Sequence, residues 1–195
     1  MSYKVLTPKT EKILNLLIGE EFKAMQAYEA VANWCQNNGF LKAYDFFLDE
    51  SKDEKGHAAI LEKYILDMGC VPELEKIDAP VQDFDSLYDV IDFAMKMEMD
   101  LGKKYSEAAV KLASEDFLTV TKIQEFINFQ IESIGFYGDL CSVKKGLSED
   151  KFQQLFFEKN LKTQSHKLSK YLIANFLFVV VEIFKYKITP IWGEG

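Results

Sequence analysis

Apolar positions recur at helical spacing in four long stretches of the chain, and each stretch interrupts its own stripe with polar residues. In the first, Thr7-Pro8 supplies an N-cap and a first-turn proline, and the spacing predicts a helix from residue 8 to near residue 37, stopped by Gly39. Leu14, Leu17, Ala24, Tyr28, Val31 and Cys35 share its apolar face, with Glu21 on the same face. A second helix is predicted over 41–68 and ends at Gly69; Phe47, Leu61, Tyr64 and Met68 form its stripe, and Glu50, Glu54 and His57 interrupt it. The third starts near Ser86 or Leu87 and runs to near 113, with Ile91, Ala94, Leu101, Tyr105, Ala108 and Leu112 around Glu98. The fourth covers 118–143, with Ile123, Ile127, Ile134, Tyr137 and Cys141 around Gln130. A short fifth helix is read over 148–161, with Ser148 as its N-cap.

Four long one-sided helices imply an all-α four-helix bundle. The aperiodic stretch between the second and third helices contains Pro72 and Pro80; it is long for an antiparallel turn and suits a crossover along the bundle. Residues 1–161 are read as one domain and 162–195 as an appended tail, expected to be helical. Within the tail, 171–184 is nearly all apolar, broken by Asn175 and Glu182. It is shorter than the roughly 20 residues of a membrane span and reads as a packed helix, with membrane contact as the alternative.

Composition narrows the classes. Only four prolines and ten glycines punctuate the chain, which agrees with long helices. With 31 acidic against 23 basic residues the net charge is −8. An acidic chain is a poor nucleic-acid binder, because phosphate contacts need a basic face, and it is better suited to attracting cations. Cys35, Cys70 and Cys141 have no zinc or redox spacing and read as reduced thiols. No apolar run closely follows Met1-Ser2-Tyr3-Lys4, so no signal peptide is expected and the expected location is cytoplasmic.

The polar interruptions carry the chemistry. An isolated buried carboxylate costs several kcal/mol, and Glu21, Glu54 and Glu98 would converge without a lysine or arginine on the same faces. A divalent cation supplies the missing positive charge. Glu54-x-x-His57 puts a carboxylate and an imidazole on one side of a helix, the arrangement used by di-iron carboxylate bundles. Each residue alone has an ordinary reading, as a solvated acid, a core histidine or a core-edge amide; jointly they point to metal.

These residues resemble the ferritin family. Glu21 with Tyr28 is similar to its first-helix ligand and tyrosine, Asp53-Glu54-Lys55-Gly56-His57 to its second-helix ligand run, and Glu98 to its third-helix glutamate. Phe126-Ile127-Asn128-Phe129-Gln130-Ile131, followed by Gly138-Asp139, resembles the segment carrying its glutamine. The resemblance spans residues 8–161. It implies a ferroxidase centre in which Glu21, Glu54 and His57 hold one iron. Glu54, Glu98 and Gln130 reach the other, and Tyr28 stands beside the pair as hydrogen-bond donor or redox-active neighbour. Dioxygen or hydrogen peroxide would be the oxidant and a ferric mineral precursor the product. Ferritins form hollow 24-subunit shells, so a homo-oligomeric cage serving iron storage is implied. Lys55 stands where bacterioferritin would have its haem-ligating methionine, so no haem is expected. Glu132 is followed three residues on by Gly135, unlike the second Glu-x-x-His of bacterioferritin and rubrerythrin. Phe129 replaces an acid next to the glutamine, and Val120 and Ile123 stand where acids often line the iron channel.

Two other readings compete with a non-haem ferritin. One is a di-iron oxygenase or peroxidase acting on another substrate. The other is a metal-free structural bundle that docks a membrane or partner through the tail.

Overall fold

Thr7 opens the first helix as the sequence predicts: its hydroxyl accepts from the Thr10 backbone N–H, Pro8 fills the first turn, and α1 runs Pro8–Asn37. In this computed structural model, which describes residues 3–161, there follow α2 (Leu41–Asp67), α3 (Leu87–Leu112), α4 (Phe117–Lys144) and the short α5 (Lys151–Phe157), which ends in a 3-10 turn, Glu158–Asn160. The apolar tail from residue 162, and with it the expectations of a packed helix or membrane contact, lies outside the described residues. Among those residues no helix is long and apolar enough to cross a membrane.

Gly39 and Gly69 end α1 and α2 at positive φ, 78° and 76°, a conformation that favours glycine. The short connection after each odd helix packs α1 on α2 and α3 on α4. The crossover of residues 68–86 runs along α1. Its Glu73 N–H donates to Asn15 Oδ1, and its Phe84 packs edge-on against Trp34, 5.8 Å between centroids. Those two α1 positions are about 28 Å apart at helical rise. The crossover therefore returns the chain to the end where α2 began, and α2 and α3 start side by side.

α5 closes that end. The α2 N-cap position is Phe40, whose side chain cannot cap. Glu158 supplies the missing acceptor, taking the N–H groups of Lys42 and Ala43 at 3.2 and 3.3 Å. Gln154 Oε1 takes the Leu87 N–H at 2.8 Å, at the start of α3. Phe157 is fully buried against Tyr88. The helix is shorter than expected, and its N-cap is Asp150, not Ser148. The Asp150 carboxylate accepts from the Gln153 N–H, while the Ser148 hydroxyl donates to Asp150.

Three of the predicted stripes face inward nearly as expected, although Met68 becomes the half-buried cap of α2. The fourth is rotated. Phe126, Gln130, Ser133 and Leu140 are buried with Ile123 and Tyr137, whereas Ile127, Ile134 and Cys141 are half-buried. α4 carries apolar residues on more than one face, so periodicity alone does not single out one side.

The buried apolar residues fall into two clusters. One gathers around Phe40, Phe46, Phe47, Val90 and Tyr137, the other around Leu14, Leu61, Ile65, Leu112 and Phe126. Between them lies a polar layer: Glu50, Glu54 and His57 separate Phe47 from Ala58 on α2, Glu98 separates Ala94 from Leu101 on α3, and Gln130 with Ser133 separates Phe126 from Tyr137 on α4.

Candidate metal centre

Glu20 and Glu21 are neighbours in sequence with opposite fates. Glu20 faces outward, with Lys23 and Lys104 on its carboxylate; Glu21 points into the bundle and has no exposure. There Glu21, Glu54 and His57 each offer a ligand atom, and those atoms all lie within 4.8 Å of one another. His57 Nδ1 is 3.0 Å from Glu54 Oε2 and 3.7 Å from Glu21 Oε2. Glu54 and His57 meet because they are three apart on one helix; Glu21 arrives from α1.

Glu98 is also fully buried but is not part of that close group. Its Oε1 accepts from the Tyr28 hydroxyl. Gln130 is buried on α4, and its side chain rests on Gly102, where an added Cβ would stand 3.3 Å from Gln130 Cβ. Gly102 is one turn beyond Glu98 on α3, so the missing side chain lets Gln130 approach the turn that carries Glu98. All six residues singled out in sequence are thus buried in the polar layer; three form the tight cluster, Glu98 and Tyr28 are joined by a hydrogen bond, and Gln130 lies against α3.

Two groups escaped the sequence reading. Tyr105, read only as a core aromatic, donates its hydroxyl to Glu21 Oε1. Glu50 interrupts the α2 stripe, and spacing alone assigns it no role. It is buried, and Tyr137 donates to its Oε2 at 3.2 Å. Its signal was its place one turn before Glu54. Tyr137 stacks on Tyr28, 6.5 Å between centroids, so buried phenols stand beside several acids of the layer.

The electrostatics describe a site short of positive charge. Burial, then the Glu21 carboxylate, pushes the Glu54 carboxyl up to about 7 against the pull of His57. Burial would lower the His57 imidazolium, but Glu54 and Glu21 outweigh it and hold its pKa well above the ordinary value. Burial, followed by the nearby carboxylates, raises Tyr28 and Tyr105, which stay neutral donors. Glu21 Oε2 and Gln130 Oε1 are buried with no hydrogen-bond partner among the described residues. Buried oxygen atoms without donors are costly, and a cation would satisfy both. Oxygen donors with a single imidazole suit a hard ion such as iron better than the thiolate-rich sets of soft metals. The three cysteines are free and contribute nothing to this cluster.

Comparison with known proteins agrees with this geometry. A family model described as a ferritin-like domain matches residues 11–145. The bacterial non-heme ferritin of Staphylococcus aureus (strain MRSA252) is 23% identical over 162 residues, covering 83% of this chain and 98% of that protein. That of Staphylococcus saprophyticus is 24% identical over 153 residues, covering 78% and 92%. Among solved structures, an open pore ferritin from the hyperthermophilic archaeon Archaeoglobus fulgidus superposes with a TM-score of 0.77 at 21% identity, over 80% of this chain and 96% of its own. A humanized archaeal ferritin gives the same score at 22% identity, over 80% and 96%. Bundle, crossover, polar layer and family match together make this chain a member of the ferritin family.

Proposed function

We propose that this protein oxidises ferrous iron at a two-ion centre in the bundle core and stores the ferric product inside a homo-oligomeric shell. The observation that carries the reading is the buried Glu21–Glu54–His57 cluster, in which Glu21 has no exposure at all. Among the described residues its carboxylates Glu21 and Glu54 have only the His57 imidazole as an ion-pair partner.

Iron is the substrate here. Glu21, Glu54 and His57 would receive one Fe(II), and Glu54, Glu98 and Gln130 the second, with Glu54 shared between them. Two ferrous ions held side by side each give one electron to dioxygen, which takes up two protons and leaves as hydrogen peroxide. The ferric products, more acidic than Fe(II), hydrolyse and move on to mineral. The chain's part is to lose the protons of His57 and Glu54 as iron binds and to hold the carboxylates by the Tyr28 and Tyr105 hydroxyls. The fold likeness and the ferritin relatives support assembly into a homo-oligomeric shell; 24 chains and a cytoplasmic location complete the reading.

Aerobic titration of the purified protein with Fe(II), followed by ultraviolet absorbance, tests the reading. Fast oxidation should saturate near two irons per chain and disappear in Glu54→Ala. Oxidation no faster than in buffer would leave the chain a ferritin in fold alone.

A further inference from the structure

α4 gives the polar layer Gln130 and Ser133, and it also brings two phenylalanines onto His57. Phe126 and Phe129 are three apart and share a side of the helix. The Phe129 ring lies flat on the His57 imidazole, 4.9 Å between centroids and 8° from parallel. Phe126 meets the same imidazole edge-on, at 6.0 Å and 78°. Its own face lies on the Tyr105 ring, 5.1 Å and 11° from parallel, and Tyr105 is the phenol that holds Glu21. The two phenylalanines touch each other at 5.8 Å and 80°.

We propose that Phe126 and Phe129 are positioning residues, an aromatic buttress that fixes the His57 ring and, through Tyr105, the Glu21 carboxylate. The inference rests on the two-ion reading above. An imidazole attached by two rotatable bonds can turn its nitrogen edge away from a ligand site. Flat stacking on Phe129 and the edge of Phe126 oppose that turn and keep Nδ1 on the side of Glu54 and Glu21. The stack also keeps water from one face of the imidazole, so the ring's polar edge is directed at the cation site. The first cation then meets a ligand pair already in place, and little ordering remains to be done on binding. Groups that orient metal ligands without touching the metal change affinity about 10- to 100-fold when lost.

The test uses Co(II) alone as probe, with the full-length chain. Visible absorption reports the number of Co(II) bound and the ligand field of each. Magic-angle-spinning NMR of histidine-labelled, metal-free protein reports the environment and ordering of the His57 ring. Phe129→Leu should weaken the first Co(II) about tenfold or more and change its ligand-field bands, leaving the second binding step and the helical content as in wild type. Phe129→Tyr, which keeps the flat ring, should restore both. Phe126→Leu should act in the same direction, and gives a second reading if Phe129→Leu does not fold. In the metal-free protein the His57 signals should lose the shift caused by the stacked phenyl ring and broaden in Phe129→Leu. Co(II) binding and His57 signals unchanged in Phe129→Leu would overturn the inference. Failure of the wild type to bind Co(II) at all would instead remove the two-ion reading, and the metal-free NMR comparison would still decide whether Phe129 orders the ring.

Discussion

At the centre of the bundle, protons occupy the place that a cation would take. The folded chain holds a proton on Glu54 up to about pH 7, whereas an ordinary glutamate in the unfolded chain releases it near 4.5. His57 likewise keeps its proton well above its ordinary value of 6.5. Both folded pKa values are raised, so the native state binds more protons than the unfolded state in this window. The stabilising contribution is complete below pH 4.5 for Glu54 and below 6.5 for His57, and it is lost as pH rises through the folded values. The metal-free protein should therefore lose stability from this cluster between pH 5 and 8. Thermal melts in chelator across that range should fall more steeply for wild type than for Glu54→Gln, and parallel slopes would disprove the assignment. Much of this residue-scale picture was legible beforehand, because a glutamate inside an apolar stripe declares its burial. The Tyr105 hydroxyl was not: nothing in spacing tells which phenol in a core will reach which carboxylate across helices.

The helices show how a weakness in one element is met by another. α2 begins at Phe40, which has no side-chain acceptor, and the first N–H groups of a helix must find partners somewhere. Glu158, more than a hundred residues later, brings a carboxylate to Lys42 and Ala43, and its charge favours the positive end of the helix. Replacing Glu158 with alanine should cost about 1 kcal/mol, in the range of a lost N-cap. Chemical denaturation of the metal-free protein would measure it; an unchanged midpoint would mean that water serves these N–H groups as well. Iron oxidation should be unaffected, since Glu158 lies with the end-closing helix and not in the polar layer. α5 itself was readable from its pattern, but its role as a cap for α2 and α3 was not, because capping across the chain leaves no local signal. α4 was the least legible of the long helices. With apolar side chains on several faces, Ile127 and Ile134 fit the helical spacing as well as Phe126, and only packing against α3 and α2 selected the face that carries Gln130, Phe126 and Phe129.

Across the whole molecule, the polar layer divides the apolar core in two. Ligands from α1, α2, α3 and α4 would be tied together by the bound ions, so the centre would act as a cross-link between the halves as well as a reaction site. A cation that binds only the folded form stabilises it by about 2.7 kcal/mol at a concentration 100 times its dissociation constant. Co(II) should accordingly raise the melting temperature of wild type, chelation should return it, and Glu54→Ala should show no such rise. A melting temperature indifferent to Co(II) in wild type would mean that the layer binds no ion.

By itself the sequence determined the order of the five helices among the described residues, the crossover, and the burial of six of the residues in and beside the layer: Glu21, Tyr28, Glu54, His57, Glu98 and Gln130. Those features rest on local rules: caps, glycine stops, and the cost of an acid inside an apolar stripe, all carried by neighbours along the chain. The tertiary structure alone decided which three ligand groups come within 4.8 Å. It also decided that Tyr105 serves Glu21 and Tyr28 serves Glu98, and that Phe129 lies on His57. These are contacts between helices, and their choice depends on the rotation of each helix about its own axis. That rotation is set by how all the side chains of the core pack at once.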